Sequence, residues 1–172
     1  PYAVAPAVAA VLWLFIFHPS IGLLGRAVRE LGVLWDYKLD GAQAMFLVVL
    51  AASWKQVSYN FLFFLAGLQS IPEELYEAAQ LDGASGWQRF RHVTLPMLGP
   101  TFVFVGVVTM IAAFQIFSEP YVMTQGGPLK STTTLVLFMY EEGFRWWRLG
   151  ISAAIAVVLF LLRQGLGSHT AP

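Results

Sequence analysis

The chain has 172 residues, 58% hydrophobic and 12% charged, where a soluble globular domain carries about 25% charged residues. One membrane span takes roughly 20 apolar residues, so a single membrane domain of about four spans fits the length and a soluble class is excluded. Ten basic against ten acidic residues leave no net field to recruit nucleic acid, and the lack of cysteine removes disulfides, thiol catalysis and sulfur-ligated metals.

Pro1 opens the chain with no basic region or cleavage site before the first apolar run, so a fragment of a longer protein is expected. The first span is predicted over residues 2–17, ending near His18 and Pro19. Residues 26–40 mix charges with aromatics and read as a polar connection holding a short interfacial helix. From 42 to 68 only Lys55 is charged, and this is the second predicted span. Residues 70–96 form a polar insert. An uncharged third span is expected over 97–118, followed by a long connection over 119–148. Within that connection Gln125-Gly126-Gly127-Pro128 is a turn signal. Trp146 and Trp147 read as an interface belt. The last span, 149–163, is short for a full crossing, and a loose polar tail is expected over 164–172.

The insert carries the most information, because a soluble-looking segment between two spans is where a membrane protein meets a soluble partner. Ser70 and Glu73 have the spacing of a capping box with Pro72 in the first turn, which predicts a helix over 71–81. Glu73, Glu74 and Glu77 put negative charge where the helix dipole favours it. Gly83 supplies the left-handed residue that ends the helix. Ser85 and Gln88 repeat the capping-box spacing, and a second helix is predicted to run to Thr94 and stop before Pro96. Two short helices at an angle make a knob whose Tyr76, Ala78, Ala79 and Leu81 suit a groove on a partner. Taken alone, Glu77 and Asp82 also read as solvated helix charges. Basic residues do not orient the knob: Arg89, Arg91 and Arg163 lie on its side, against Arg26, Arg29, Lys38, Lys130, Arg145 and Arg148 on the other, a count that runs against a cytoplasmic insert.

Glu77-Ala78-Ala79, three residues, Gly83, nine residues and Val93-Thr94-Leu95-Pro96 together resemble the EAA loop of ABC importer permeases, with valine where isoleucine is commoner. Residues 68–72, 124–128 and 132–135 are similar to the binding-protein-dependent, carbohydrate-type branch of that family. Residues 1–8, 41–46 and 54–61 are similar to its members that carry sn-glycerol-3-phosphate. The resemblance implies an all-α polytopic transmembrane bundle, a six-span parent whose first two spans precede residue 1, and a last span that continues past Arg163. It implies that Glu77, Ala78, Ala79, Asp82, Gly83, Leu95 and Pro96 form a cytoplasmic coupling loop. That loop would dock on an ATPase and pass its closure to the spans as rigid-body movement. The implied partners are a second permease subunit, two ATP-binding subunits and a periplasmic or extracellular solute-binding protein, in a bacterial inner membrane. ATP and magnesium would sit on the partner ATPase, with no cofactor on this chain. The implied activity is alternating-access import of sn-glycerol-3-phosphate or a related carbohydrate or polyol. A neutral oligosaccharide is the alternative solute, and an ATP-independent channel or a membrane-embedded enzyme are the alternative classes.

For a substrate pathway the candidates are Lys55, Tyr59, Asn60, Gln115 and Glu119. An ionisable group inside a span is costly and faces a cavity or a partner, so Lys55 reads either as a contact to solute phosphate or hydroxyls or as a structural ion pair or snorkelling group. Gln115 and Glu119, four apart on one face of the predicted third span, read equally as solute lining and as interhelical hydrogen bonds. No catalytic constellation is found. GxxxxGK[ST] is absent, so ATP is expected to bind elsewhere. His18, His92 and His169 lack metal-ligand spacing, and the serines show no nucleophile elbow.

Overall fold

A computed structural model describes residue 1 and residues 3–167. Tyr2, at the start of the first predicted span, and 168–172 of the predicted tail, with His169, lie outside the described residues. Every regular element among the described residues is helical. In chain order they are α1 (Pro6–Ile16), α2 (Leu23–Glu30), α3 (Gly41–Gln69), α4 (Glu73–Leu81), α5 (Gly86–Arg89), α6 (Leu95–Met97), α7 (Gly99–Phe114), α8 (Ser118–Met123), α9 (Leu135–Tyr140) and α10 (Leu149–Gly167). Two π-helical turns, Phe90–Thr94 and Glu141–Arg145, join α5 to α6 and extend α9.

The long α3 is the axis on which the rest is placed. Asp40 caps it by accepting from the amides of Ala42 and Gln43, at 2.8 and 3.3 Å. Such a cap contributes about 1 kcal/mol. Its 29 residues reach about 43 Å at 1.5 Å per residue, so its two ends serve different surfaces. The core sits near its N-terminal half, where Ala44, Leu47, Val48 and Ala51 pack with Ala10 and Phe17, with Trp35 and Tyr37 from the 31–40 segment, and with Met123 of α8. Alanine at three of these positions lets helices approach closely. Trp35 Nε1 donates to the carbonyl of Phe17 at 2.8 Å, so this buried indole is satisfied. Further along α3, Gly67 crosses α7. A Cβ there would meet Thr101 Oγ1 at 2.6 Å, so the crossing needs glycine.

Apolar side chains stay exposed along α1, α3, α7 and α10, among them Phe15, Phe61, Val103 and Phe160. That much exposed apolar surface calls for lipid or protein cover. The stretch Gly99–Met123, mean hydropathy 2.0, is the one among the described residues long and apolar enough to cross a membrane by length and composition. α3 is long enough, but Lys55, Gln56, Tyr59 and Asn60 interrupt its apolar run. α1 and residues Leu149–Gly165 are shorter apolar helices.

Three expectations about the elements change. The predicted third span is not one unbroken helix to 118: α7 ends at Phe114, and Gln115 and Phe117 leave helical geometry before α8 begins. Pro120 is the physical reason, since it has no N–H to give the carbonyl of Ile116 and its ring crowds that oxygen. The freed carbonyl accepts instead from Thr134 Oγ1 at 2.8 Å. The second helix of the insert does not stop at Thr94 but continues through Pro96 to Met97. A π-helical turn shifts the register so that the Leu95 amide bonds the Phe90 carbonyl, and the missing N–H of Pro96 falls where the ladder has already been re-spaced. Finally, 164–167 of the predicted loose tail continue α10.

Candidate functional site

The insert folds as a knob at the C-terminal end of α3. α4 carries Glu73 and Glu74 in its first turn, where the dipole favours them. Its C-terminus closes in a Schellman motif: the Gly83 amide bonds the Gln80 carbonyl at 3.0 Å and the Ala84 amide bonds the Ala79 carbonyl at 2.9 Å. Gly83 sits at φ +74 as predicted, and a Cβ there would meet nothing within 4 Å. Its requirement for glycine is therefore conformational rather than steric. Ser85 and Gln88 form both halves of the predicted capping box, at 2.8 Å from the Ser85 amide to Gln88 Oε1 and 3.4 Å in return. Tyr76 Oη and Thr94 Oγ1 lie 2.9 Å apart and tie α4 to the π-helical turn. Thr94 is buried, so the pair is protected from solvent.

The other predicted capping box does not form. α4 begins at Glu73 with Pro72 as its N-cap and no side-chain cap. Ser70 Oγ instead donates to the Gly67 carbonyl at 2.7 Å, closing the end of α3. Pro72, at ψ 133, moves the helix start beyond the reach of Ser70.

Of the predicted coupling residues, Glu77, Ala78, Asp82, Gly83, Leu95 and Pro96 are exposed and Ala79 is half-buried. Ala79, Asp82 and Gly83 line one groove of about 300 Å³ with Ala84, Gln88 and Arg89. Arg89 Nε is buried without a hydrogen-bond partner among the described residues. A buried unpaired donor is costly. Beside the groove Leu81 is 91% exposed, and Trp87 stacks on Phe90 with centroids 5.5 Å apart. Sequence reasoning missed Arg89 and the Trp87–Phe90 pair. The three-residue spacing of the aromatics on one helix face is the signal that would have found them.

The five pathway candidates do not come together as one lining. Lys55 Nζ donates to the Val4 carbonyl at 2.8 Å, so its ammonium anchors the segment before α1. Asn60 Oδ1 accepts from Thr109 Oγ1 at 3.3 Å and from Gln56 Nε2 at 3.5 Å, joining α3 to α7. Tyr59 lies on the same helix and is exposed. Gln115 and Glu119 do not share a helical face, because the chain breaks between α7 and α8. Gln115 is exposed and borders a cleft of about 390 Å³ with Val136, Leu159 and Arg163. Glu119 is 8% exposed on α8, which packs on α1.

The far end of α3 is built differently. Between α8 and α9 the threonines satisfy a loop internally: Thr132 Oγ1 donates to the Gly127 carbonyl at 2.9 Å and lies 2.6 Å from Thr124 Oγ1. Thr133 Oγ1 donates to the Gly126 carbonyl at 3.3 Å. The predicted glycine turn is thus present and held by hydroxyls. Arg145 and Arg148 pair with Glu141 and Glu142, each at 3.5 Å. Trp146 and Trp147 are exposed beside them.

The family model for the inner membrane component of binding-protein-dependent transport systems matches residues 1–164. The sn-glycerol-3-phosphate transport system permease protein UgpA of Agrobacterium fabrum is 54% identical over 163 residues, 94% of this chain and 56% of that protein. The protein of the same name from Yersinia pseudotuberculosis is 53% identical over 167 residues, 96% of this chain and 57% of that protein. The chain therefore spans little more than half the length of these relatives. A crystal structure of a bacterial ABC transporter that imports the acidic polysaccharide alginate superposes with a TM-score of 0.82 at 24% identity, over 99% of this chain and 62% of that one. The alginate transporter in complex with its pentasaccharide-bound periplasmic protein gives 0.84 at 22% identity, over 99% and 60%. These likenesses establish an all-α fold shared with ABC importer permeases.

Proposed function

The chain belongs to the family of inner membrane components of binding-protein-dependent transport systems, and we propose that it is part of the permease subunit of an ATP-driven importer of sn-glycerol-3-phosphate in a bacterial inner membrane. The observation that carries the solute is the 54% identity, over nearly the whole chain, to a relative named for that transport. The subunit works with a second permease, two ATP-binding subunits and a solute-binding protein, and ATP is hydrolysed on the partners.

The knob supports the coupling part of this reading. It is closed by the Schellman turn at Gly83 and the capping box at Ser85, and presents exposed small and apolar residues beside the groove that Arg89 lines. Such a surface meets a soluble domain rather than lipid. Closure of the ATPase pair pushes on Glu77, Ala78, Ala79, Asp82 and Gly83, while Leu95 and Pro96 continue the motion toward α7. Asn60 and Thr109 tie α3 to α7, so a push on the knob moves both helices as one body.

The test is uptake of labelled sn-glycerol-3-phosphate into vesicles holding the full-length protein with its partner subunits. Uptake that requires ATP, with maltose-type sugars excluded, is the expected result. Passive flux persisting after ATP hydrolysis is blocked contradicts the importer. ATP-dependent uptake of a neutral sugar alone contradicts the solute and leaves the importer standing.

A further inference from the structure

A second site lies at the end of α3 remote from the knob. There a cleft of about 510 Å³ opens between α1, the 31–40 segment and the turn after α8, with Phe15 and Met123 on its apolar wall. Its polar side chains are His18, Tyr37, Lys38 and Thr124, and among the described residues no carboxylate lines it. Lys38 is in no ion pair among the described residues. Tyr37 is 5% exposed, yet its hydroxyl makes no hydrogen bond among the described residues. Burial, and then the charge of Asp36, raises the pKa of Tyr37 above its usual value, which keeps the hydroxyl protonated as a donor. His18 Nδ1 accepts from the Ser20 amide at 3.2 Å, which leaves Nε2 to carry the ring proton. Thr124 is already engaged with the Pro120 carbonyl and Thr132.

The cleft is also held in place. Gln43 of α3 accepts from the Asp36 amide at 2.6 Å and donates to the Leu34 carbonyl at 2.8 Å, clamping the segment that carries Tyr37 and Lys38. Asp36 Oδ1 accepts from the Lys38 amide at 3.0 Å and fixes the turn between them. Held this way, the backbone under Tyr37 and Lys38 loses little freedom on binding. Three donors, the cationic Lys38 among them, line this one cleft, and a tetrahedral anion offers an oxygen to each where a carboxylate has only two.

We propose that this cleft is a phosphate-binding site, taking the phosphate of a small solute or of a phospholipid headgroup through Lys38, Tyr37 and His18. The site stands on this geometry and does not depend on the solute proposed for transport. The test uses the full-length protein assembled with its partner subunits in maltoside micelles, which carry no phosphate. One arm measures binding of inorganic phosphate and sn-glycerol-3-phosphate, with glycerol as control. The other measures retention of added phosphatidylglycerol by native mass spectrometry. Lys38→Gln and Tyr37→Phe are each expected to weaken binding by about tenfold, the scale of a lost hydrogen bond to a charged group. Lys130→Gln, an exposed cation outside the cleft, should leave binding unchanged. Loss in the soluble arm assigns the site to a solute phosphate; loss confined to phosphatidylglycerol retention assigns it to a headgroup. Binding in both arms insensitive to Lys38→Gln and Tyr37→Phe, or no binding in either, overturns the proposal.

Discussion

The two ends of α3 solve the same problem, satisfying polar backbone between helices, in opposite ways. At the knob the caps are local: the Schellman closure at Gly83 and the capping box at Ser85 and Gln88 each join residues within five positions of one another. At the far end one bond reaches much further. Thr134 reaches back 18 residues to the Ile116 carbonyl, and the loop 124–134 is held by threonine hydroxyls on the carbonyls of Gly126 and Gly127. A local knob holds its own shape while displaying most of its residues, which suits a part that is pushed by a partner. A cross-linked loop fixes the mouth of the bundle.

Breaking the knob should give the largest functional effect. Gly83→Asp forces a side chain into the left-handed region, costing about 1–2 kcal/mol, and adds a charge next to the exposed Asp82. Co-purification of the ATP-binding subunit is expected to fall sharply with membrane insertion intact; undiminished association contradicts the coupling role. Breaking the far end should cost stability and leave that association alone. Thr132 is fully buried and its hydroxyl serves Gly127 and Thr124, so Thr132→Val should destabilise by about 1–3 kcal/mol, read as a lower thermal midpoint of the assembled protein. The smallest effects sharpen the contrast inside the knob. Ser85→Ala removes a real cap and should cost about 1 kcal/mol, whereas Ser70→Ala should stay within about 0.5 kcal/mol. Equal losses in those two variants would restore the capping box that Ser70 and Glu73 resemble on paper.

The same contrast explains what could be read in the sequence. The helix α4, its left-handed Gly83 and the box at Ser85 follow from residues three to five apart, and all three were legible. Ser70 has the right spacing too, but Pro72 sets the helix start two residues late and the hydroxyl finds the end of α3. Pro96 looks like a stop, and the π-helical turn before it removes the need for its N–H. At the far end the apolar run across 97–118 hides a break, because composition does not register that Pro120 strips the Ile116 carbonyl of its partner. That break separates Gln115 from Glu119. Lys55 shows the limit for single residues: its cost inside an apolar helix was evident, but its partner, the Val4 carbonyl 51 positions away, depends on how α1 meets α3.

A coupling knob meets the ATP-hydrolysing partner where the far end of α3 does not. These 172 residues contain no cysteine, so a single cysteine here reports one place. Ala78→Cys and Leu129→Cys put an exposed thiol at the knob and at the far loop respectively. In the assembled transporter, a short bifunctional cross-linker should join the ATP-binding subunit to the chain through Ala78→Cys and not through Leu129→Cys. Cross-linking through Leu129→Cys, or through neither, would contradict the account.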